Sequence, residues 1–242
     1  MELRQVHSFY DTASHWYDLF TKLVFHRLLG LGRLRQSSLD LLGDLNGARV
    51  LDVGCGTGLH FQQIRERIGP RGHLVAVDYS LGMLSKARER VRYHGWGNVS
   101  LLQDDAAKLE SVEGKFDAIV SFWCLGIVHD LDSAIRECLS RLKPGGSLVI
   151  VDFQRSRPER GWMRWLYPVY RQLLIWTKID TPEDLDDEKL RLKWERALQF
   201  LERRLEGIHQ ESYLYGTGIV VAGKKPSLHP GPGAPLDSFA KT

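Results

Sequence analysis

The segment RVLDVGCGTG, residues 49–58, is an apolar, strand-like run that leads directly into a glycine-rich turn. Gly54, Gly56 and Gly58 let the backbone pass close to a ligand and turn into the next helix. The G-x-G-x-G spacing differs from the G-x-G-x-x-G of dinucleotide sites, and the turn lacks the Gly-Lys-Ser/Thr ending of a P-loop. Asp52, two residues before the first glycine, would repel a pyrophosphate and suits a ligand that carries an ammonium group. The turn therefore predicts a site for a nucleoside ligand without phosphates.

Strand-like and helical segments alternate along the chain from this point. Short apolar runs occur at residues 49–53, 74–78, 99–103, 116–122 and 147–153. Helical patterns lie between them, at residues 60–68, 82–93 and 131–142. The KPGG sequence at 143–146 predicts a turn before the fifth strand. This alternation predicts an α/β fold, a Rossmann-like, doubly wound sheet with helices on both faces.

The flanking segments predict three further parts. Apolar residues recur at helical spacing from Val6 to about Leu31, so residues 1–45 are expected to form an N-terminal helical cap. Residues 46–223 are expected to form the main domain, with a helical insertion or lid at 154–203. Residues 224–242 are rich in proline and glycine and are expected to be a disordered tail.

Several elements outside the central alternation are also predicted. A helix at about residues 34–42 leads into the sheet, and a long helix runs from about Glu188 to Leu205. Two strand candidates, 208–214 and 217–222, are separated by Tyr215-Gly216, a predicted hairpin turn.

The composition sets limits on function. The chain has 242 residues and a formal charge of +3, which is too small to predict nucleic-acid binding. Cys55, Cys124 and Cys138 are odd in number and widely spaced, so buried free thiols and no metal site are expected. The first residues lack a basic region followed by an apolar core, so no signal peptide is expected, and no apolar run is long enough to span a bilayer. A cytoplasmic protein is the expectation.

Acidic residues follow the second and third predicted strands. Asp78 ends LVAVD, where a carboxylate can accept hydrogen bonds from both ribose hydroxyls. Asp105 follows the third strand, within reach of an adenine amino group. An adenosine with a zwitterionic amino-acid tail and no phosphate suits these two acids together with Asp52. That ligand is S-adenosylmethionine.

The chain resembles the class I S-adenosylmethionine-dependent methyltransferases. Five motifs stand in that family's order: VLDVGCGTG (50–58), LVAVDYS (74–80), QDDAA (103–107), FDAIVSFW (116–123) and LKPGGSLVIVDF (142–153). The resemblance covers roughly residues 5–223. It implies a seven-stranded sheet, mostly parallel with an antiparallel last strand.

The resemblance also implies the residues that bind the cofactor. The loop from Gly54 to Gly58 would wrap the methionine portion, Asp78 would bind the ribose and Asp105 the adenine amine. Further cofactor contacts are assigned at the neighbouring positions of the same motifs. The full predicted set is Tyr17, Asp52, Gly54, Cys55, Gly56, Gly58, Asp78, Tyr79, Asp105, Ala106 and Ser121.

Within that family the chain is most similar to ubiquinone/menaquinone C-methyltransferases and bacterial phospholipid N-methyltransferases. The signs are ASHWYDLF near the start, FQRSRPERGWMRWLYPVY after the fifth strand, and LYGTGIVVAGKK at the closing strand. The quinone enzymes carry an Arg-Asn pair where this chain has Gly126-Ile127. The expected acceptor is hydrophobic or lipid-linked, either a quinone ring or a phospholipid amine. Methylation of a soluble small molecule and a non-catalytic cofactor-binding subunit are the alternatives.

Three residues are candidates for the transfer itself. Tyr17, in the entry helix, would contact the methionine carboxylate or face the methyl group; the alternative is core packing. Trp123 would offer a π-face to a cation, or form a buried wall. His15 would act as a base or lie at the surface. His129 and, more remotely, His209 are further candidates, and His129 is expected at the surface before a helix cap at Asp130 or Asp132.

Residues 155–178 are basic and rich in aromatic side chains. Arginines mixed with tryptophans and tyrosines suit the headgroup layer of an anionic membrane. The segment predicts peripheral contact at the inner membrane face, with a buried insertion helix as the alternative.

Overall fold

The structure, a computed structural model, describes residues 31–154 and 187–227, with Gly161, Arg164, Trp165, Tyr167, Pro168 and Gln172 between them. The strands are β1 Arg49–Val53, β2 His73–Asp78, β3 Val99–Gln103, β4 Phe116–Phe122, β5 Leu142–Phe153, β6 Glu206–Tyr213 and β7 Gly218–Lys224. The helices are α1 Leu31–Asp40, α2 Phe61–Ile68, α3 Leu81–Tyr93, α4 Leu131–Arg141 and α5 Asp187–Glu202.

The seven strands form a single sheet in the order β3-β2-β1-β4-β5-β7-β6. β1 to β5 pair in parallel, and β7 is antiparallel to both β5 and β6. Only β7 therefore runs against the other strands, which confirms the predicted mostly parallel sheet with an antiparallel last strand. The order reverses between β1 and β4, where doubly wound folds place their ligand crevice.

Side chains of the central strands are buried on both faces of the sheet. On β1, Leu51 and Val53 belong to one apolar cluster, while Val50 belongs to the cluster on the opposite face. Trp194 of α5 is 1% exposed and packs into the first of these clusters. Strands covered on both sides are continuously apolar, and this is the pattern that made them recognisable in the sequence.

The beginning of β5 differs from the prediction. The KPGG sequence lies inside β5, which starts at Leu142, and Gly145 has a φ of 76°. Gly145 N donates to Lys225 O at 2.8 Å, and Lys225 N donates to Gly146 O at 2.8 Å. These bonds to the end of β7 draw the predicted turn into the sheet, so the prediction of a separate turn is wrong.

The structure confirms the predicted hairpin and describes only part of the predicted N-terminal cap. Tyr215 and Gly216 both have positive φ, 57° and 89°, and join β6 to β7 as predicted. Of the predicted cap, α1 is described; it packs on the sheet, where Ser147 Oγ donates to Leu42 O at 3.2 Å. The rest of the cap, most of the 154–203 insertion and most of the tail lie outside the described residues. No helix within the described ranges is long and apolar enough to cross a membrane.

Candidate active site

The glycine turn after β1 lies against the carboxyl end of β2. Gly54 N and Cys55 N both donate to Val77 O, at 2.8 and 2.9 Å. Gly54, Gly56 and Gly58 all have positive φ, between 55° and 76°. A Cβ on Gly54 would lie 2.1 Å from Cys124 Sγ, so only glycine fits between the turn and the segment after β4.

Asp78 fastens this turn to the end of β2. Its Oδ2 accepts a hydrogen bond from Gly56 N at 2.7 Å, and its Oδ1 accepts one from Ser80 N at 2.9 Å. Burial, together with a smaller effect of the negative charge of Asp52, raises the pKa of Asp78 to about 6. Each carboxylate oxygen has a second lone pair, so Asp78 can still accept hydrogen bonds from a ligand.

Asp52 lies beneath the turn and is fully buried. Its Oδ2 is 2.7 Å from His60 Nε2. Its Oδ1 has no hydrogen-bond partner among the described residues. The sequence prediction placed Asp52 at the site and missed His60, although this histidine stands only two residues after Gly58 in GTGLH.

The third predicted acid lies at the same edge of the sheet. Asp78 pairs with Gln103 in register, so Asp105 follows β3 next to the end of β2. The Oδ1 of Asp105 accepts a hydrogen bond from Ala107 N at 2.9 Å, Ala106 is buried, and Tyr79 is 37% exposed. The structure thus brings these predicted cofactor residues together at one edge.

Two predicted residues lie at the end of β4. Ser121 is buried and its Oγ donates to Val53 O at 2.8 Å, which ties β4 to β1. Trp123 has a φ of 53°, uncommon for a residue other than glycine, and its Nε1 donates to Tyr213 OH at 2.8 Å. The Arg35 guanidinium lies 4.8 Å from the centroid of the Trp123 ring, so a cation of the protein already contacts this π-system.

A second buried acid, which the sequence prediction did not identify, lies at the end of β5. Asp152 Oδ2 accepts from Gly126 N at 2.9 Å, and its Oδ1 accepts from Phe153 N at 2.7 Å. Burial raises the pKa of Asp152 to about 6, while Lys193 acts to lower it. Lys193 Nζ donates to Gly126 O and Val128 O, at 3.2 and 2.5 Å, and so fastens the short 3-10 turn after β4.

The remaining candidates are two exposed histidines, the cysteines, and two residues outside the described part of the chain. His129 and His209 are both exposed, and Asp130 caps α4 by accepting from Ser133 N at 2.9 Å, as predicted. His15 and Tyr17 lie outside the described residues. The three cysteines are free, with Cys55 and Cys138 buried and Cys124 half-buried. No metal-ligand cluster occurs in the described parts of the chain.

Similarity to known proteins identifies the family. A family model described as a methyltransferase domain matches residues 50–146. The ubiquinone/menaquinone biosynthesis C-methyltransferase UbiE of Pseudomonas aeruginosa is 33% identical over 176 residues, covering 71% of this chain and 66% of that protein. The demethylmenaquinone methyltransferase of Listeria welshimeri is 31% identical over 171 residues, covering 70% of this chain and 71% of that protein. The chain belongs to the class I S-adenosylmethionine-dependent methyltransferases.

Solved structures agree with this membership at the level of the fold. A S-adenosylmethionine-dependent methyltransferase from Aquifex aeolicus has a TM-score of 0.55 and 23% sequence identity, and the match covers 78% of this chain and 88% of that chain. The chain spans 66% of the length of its Pseudomonas aeruginosa relative.

The residues of the edge fit the cofactor of this family, S-adenosylmethionine. Gly54, Gly56 and Gly58 have no side chains, so a ligand can approach the backbone of the turn closely. The unpartnered Oδ1 of Asp52 suits an ammonium group, because a buried carboxylate oxygen without a partner is costly. Asp78 retains acceptor capacity for hydroxyl donors.

Proposed function

We propose that this methyltransferase transfers a methyl group from S-adenosylmethionine to a ring carbon of a hydrophobic quinone-type acceptor. The main support is its similarity to relatives named for ubiquinone, menaquinone and demethylmenaquinone methylation. The division of the carboxyl edge into an acidic side and an aromatic side adds to that support. Asp52, Asp78 and Asp105 line the first side, and Trp123 and Tyr213 the second.

In this proposal the acidic side binds the cofactor. Asp52 Oδ1 accepts from the amino group of the methionine portion, the carboxylate of Asp78 accepts from the ribose hydroxyls, and Asp105 accepts from the adenine amine. Bound S-adenosylmethionine supplies a methyl group already activated by its sulfonium. The protein therefore has mainly to orient the acceptor in line with that group and to exclude water.

The aromatic side orients the acceptor. Trp123 is fixed by its hydrogen bond to Tyr213 OH, and that hydroxyl donates to Asp152 O at 3.0 Å. The part of the indole that Arg35 does not contact offers a flat apolar surface to a ring. Methylation of a ring carbon also needs a deprotonated ring hydroxyl and a base for the departing proton. We assign the role of this base to Tyr17 or His15 of the N-terminal helical cap.

We further propose that the 155–178 segment contacts the membrane from which the acceptor is drawn. Trp165 is 85% exposed, and Ile127 and Tyr215 are 51% and 41% exposed. Gly161 lies against the Tyr215 ring, since a Cβ there would be 2.7 Å from it. Because β7 begins opposite the end of β5, Tyr215 lies at the same edge of the sheet as the active site.

The acceptor is tested by incubating the protein with methyl-labelled S-adenosylmethionine and a whole-cell extract of its host, followed by separation of the organic and aqueous phases, with Asp78→Asn as the inactive control. Label on a quinone, identified by mass spectrometry, supports the proposal. Label on a phospholipid amine, or label in the aqueous phase, would show that the acceptor is not a quinone. Cofactor binding without any labelled product would favour a non-catalytic subunit.

The membrane contact is tested by co-sedimentation with vesicles of phosphatidylglycerol and phosphatidylcholine. We expect wild type to sediment with the anionic vesicles and Trp165→Ala to bind less, while both keep the same cofactor affinity. Equal recovery of wild type with and without vesicles would contradict the contact.

A further inference from the structure

We propose that His60 is a positioning residue that holds the carboxylate of Asp52 so that its Oδ1 receives the amino group of the bound cofactor. This inference rests on the proposed use of S-adenosylmethionine. It adds a residue from outside the glycine turn to the site.

The Asp52–His60 pair is buried and short. Asp52 is fully buried, His60 is 4% exposed, and Oδ2 lies 2.7 Å from Nε2. An ionised carboxylate only accepts hydrogen bonds, so Nε2 carries the proton and donates it. One oxygen of Asp52 is therefore held by the protein, and the direction of the other is fixed with it.

The imidazole cannot easily turn away from Asp52. Its ring makes edge-on contacts with Phe61 and Phe122, at centroid distances of 5.9 and 5.1 Å. His60 also stands at the N-cap position of α2, where short polar side chains usually bond the first turn of the helix. Its side chain makes no such bond and is directed at Asp52 instead. Local helix chemistry does not explain a histidine here, whereas the buried carboxylate does.

The remaining oxygen, Oδ1, needs a donor. It is buried and has no hydrogen-bond partner among the described residues. Leaving a buried carboxylate oxygen without a donor is costly, and a ligand ammonium removes that cost. The charge of Asp52 also reaches the crevice, because it raises the pKa of both Asp78 and Cys55 in the loops that line it. A cationic amino group entering beside these loops thus meets a fixed negative partner.

The test compares ligands that differ in the amino-acid tail. S-adenosylhomocysteine carries the amino group, while 5′-methylthioadenosine keeps the adenosine and lacks the tail. Affinities are measured by isothermal titration calorimetry for wild type, His60→Leu and His60→Gln. Glutamine retains an N–H donor of similar reach, and leucine removes it.

We expect His60→Leu to bind S-adenosylhomocysteine at least tenfold more weakly and 5′-methylthioadenosine within about twofold of wild type, since Asp52 loses the charge-assisted hydrogen bond that fixes its carboxylate. His60→Gln should recover most of the loss. Asp52→Asn should reproduce the selective loss, and it provides the comparison if His60→Leu does not fold.

Equal weakening of both ligands, or of neither, would overturn the positioning role while leaving the proposed function intact. Wild-type protein that binds neither ligand would overturn the proposed function and this inference together.

Discussion

Two acids, the half-buried Asp78 and the buried Asp152, occupy corresponding places at the carboxyl edge of the sheet. Asp78 ends β2 on the proposed cofactor side, and Asp152 lies near the end of β5 on the proposed acceptor side. Each accepts hydrogen bonds from two backbone N–H groups, and burial raises the pKa of each to about 6. By local structure alone the two would be assigned the same role.

The two acids differ in the charge of the residues near them. Asp52 raises the pKa of Asp78, whereas Lys193 lowers that of Asp152. The acceptor half therefore contains its own compensating cation. The cofactor half combines two acids near one turn, with one carboxylate oxygen left unpartnered in the described structure. Under the proposed function, this contrast fits a cofactor half that binds a cation and an acceptor half whose charge is already compensated by Lys193.

The strongest test of the contrast exchanges each acid for its amide. Asp78→Asn should weaken S-adenosylhomocysteine binding by about 100-fold or more, because two ribose hydroxyls lose a charged acceptor. Asp152→Asn should change that dissociation constant by less than about threefold and alter the KM for the acceptor instead. Calorimetry and steady-state kinetics measure the two effects. Similar losses of cofactor affinity in both variants would remove the distinction.

A second test addresses the contact between the glycine turn and Cys124, which follows β4. Gly54→Ala should destabilise the fold by about 3 kcal/mol, because its Cβ would meet Cys124 and because φ is 76°. Gly56→Ala is the matched control, with φ at 55° and open space around the added carbon, and should cost about 1 kcal/mol. Urea unfolding with circular dichroism compares them. Equal losses of stability in the two variants would show that the positive φ, and not the contact with Cys124, determines the cost of a side chain in this turn.

The pH dependence of binding offers a third test. With a pKa raised to about 6, Asp78 is protonated below pH 6 in the cofactor-free protein and ionised above it. Because the ionised form accepts the ribose hydroxyls, cofactor affinity should rise with pH, by about tenfold between pH 5 and pH 7. Asp152→Asn should keep this profile, and Asp78→Asn should flatten it. A flat wild-type profile would contradict the assignment of Asp78.

The smallest expected effect concerns the acceptor half. Tyr213→Phe removes the acceptor of Trp123 Nε1 and the donor to Asp152 O, which should cost about 1 kcal/mol of stability. Cofactor affinity should stay at the wild-type value while the KM for the acceptor rises. Thermal unfolding and kinetics measure these changes. A loss of cofactor affinity in this variant would show that the two halves are coupled.

Much of the scaffold was predictable because its signals are local. The predicted bounds of β1, β3 and β4 agree with the structure, since buried parallel strands are short apolar runs between turns. The hairpin at Tyr215-Gly216 was equally local. The start of β5 was not, because Gly145 and Gly146 of KPGG are drawn into the sheet by bonds to Lys225, 80 and 79 residues further along the chain.

The sequence by itself determined the order of the elements, the glycine turn and the acids at the strand ends, because each is written in a few consecutive residues. Only the tertiary structure revealed His60 as the partner of Asp52, and the chain of contacts from Trp123 through Tyr213 to Asp152. The members of that chain are up to 90 residues apart. Side chains so distant in sequence meet only after the sheet has formed. Their burial and their charged neighbours then distinguish Asp152, which has Lys193 near it, from Asp52, whose Oδ1 has no partner among the described residues.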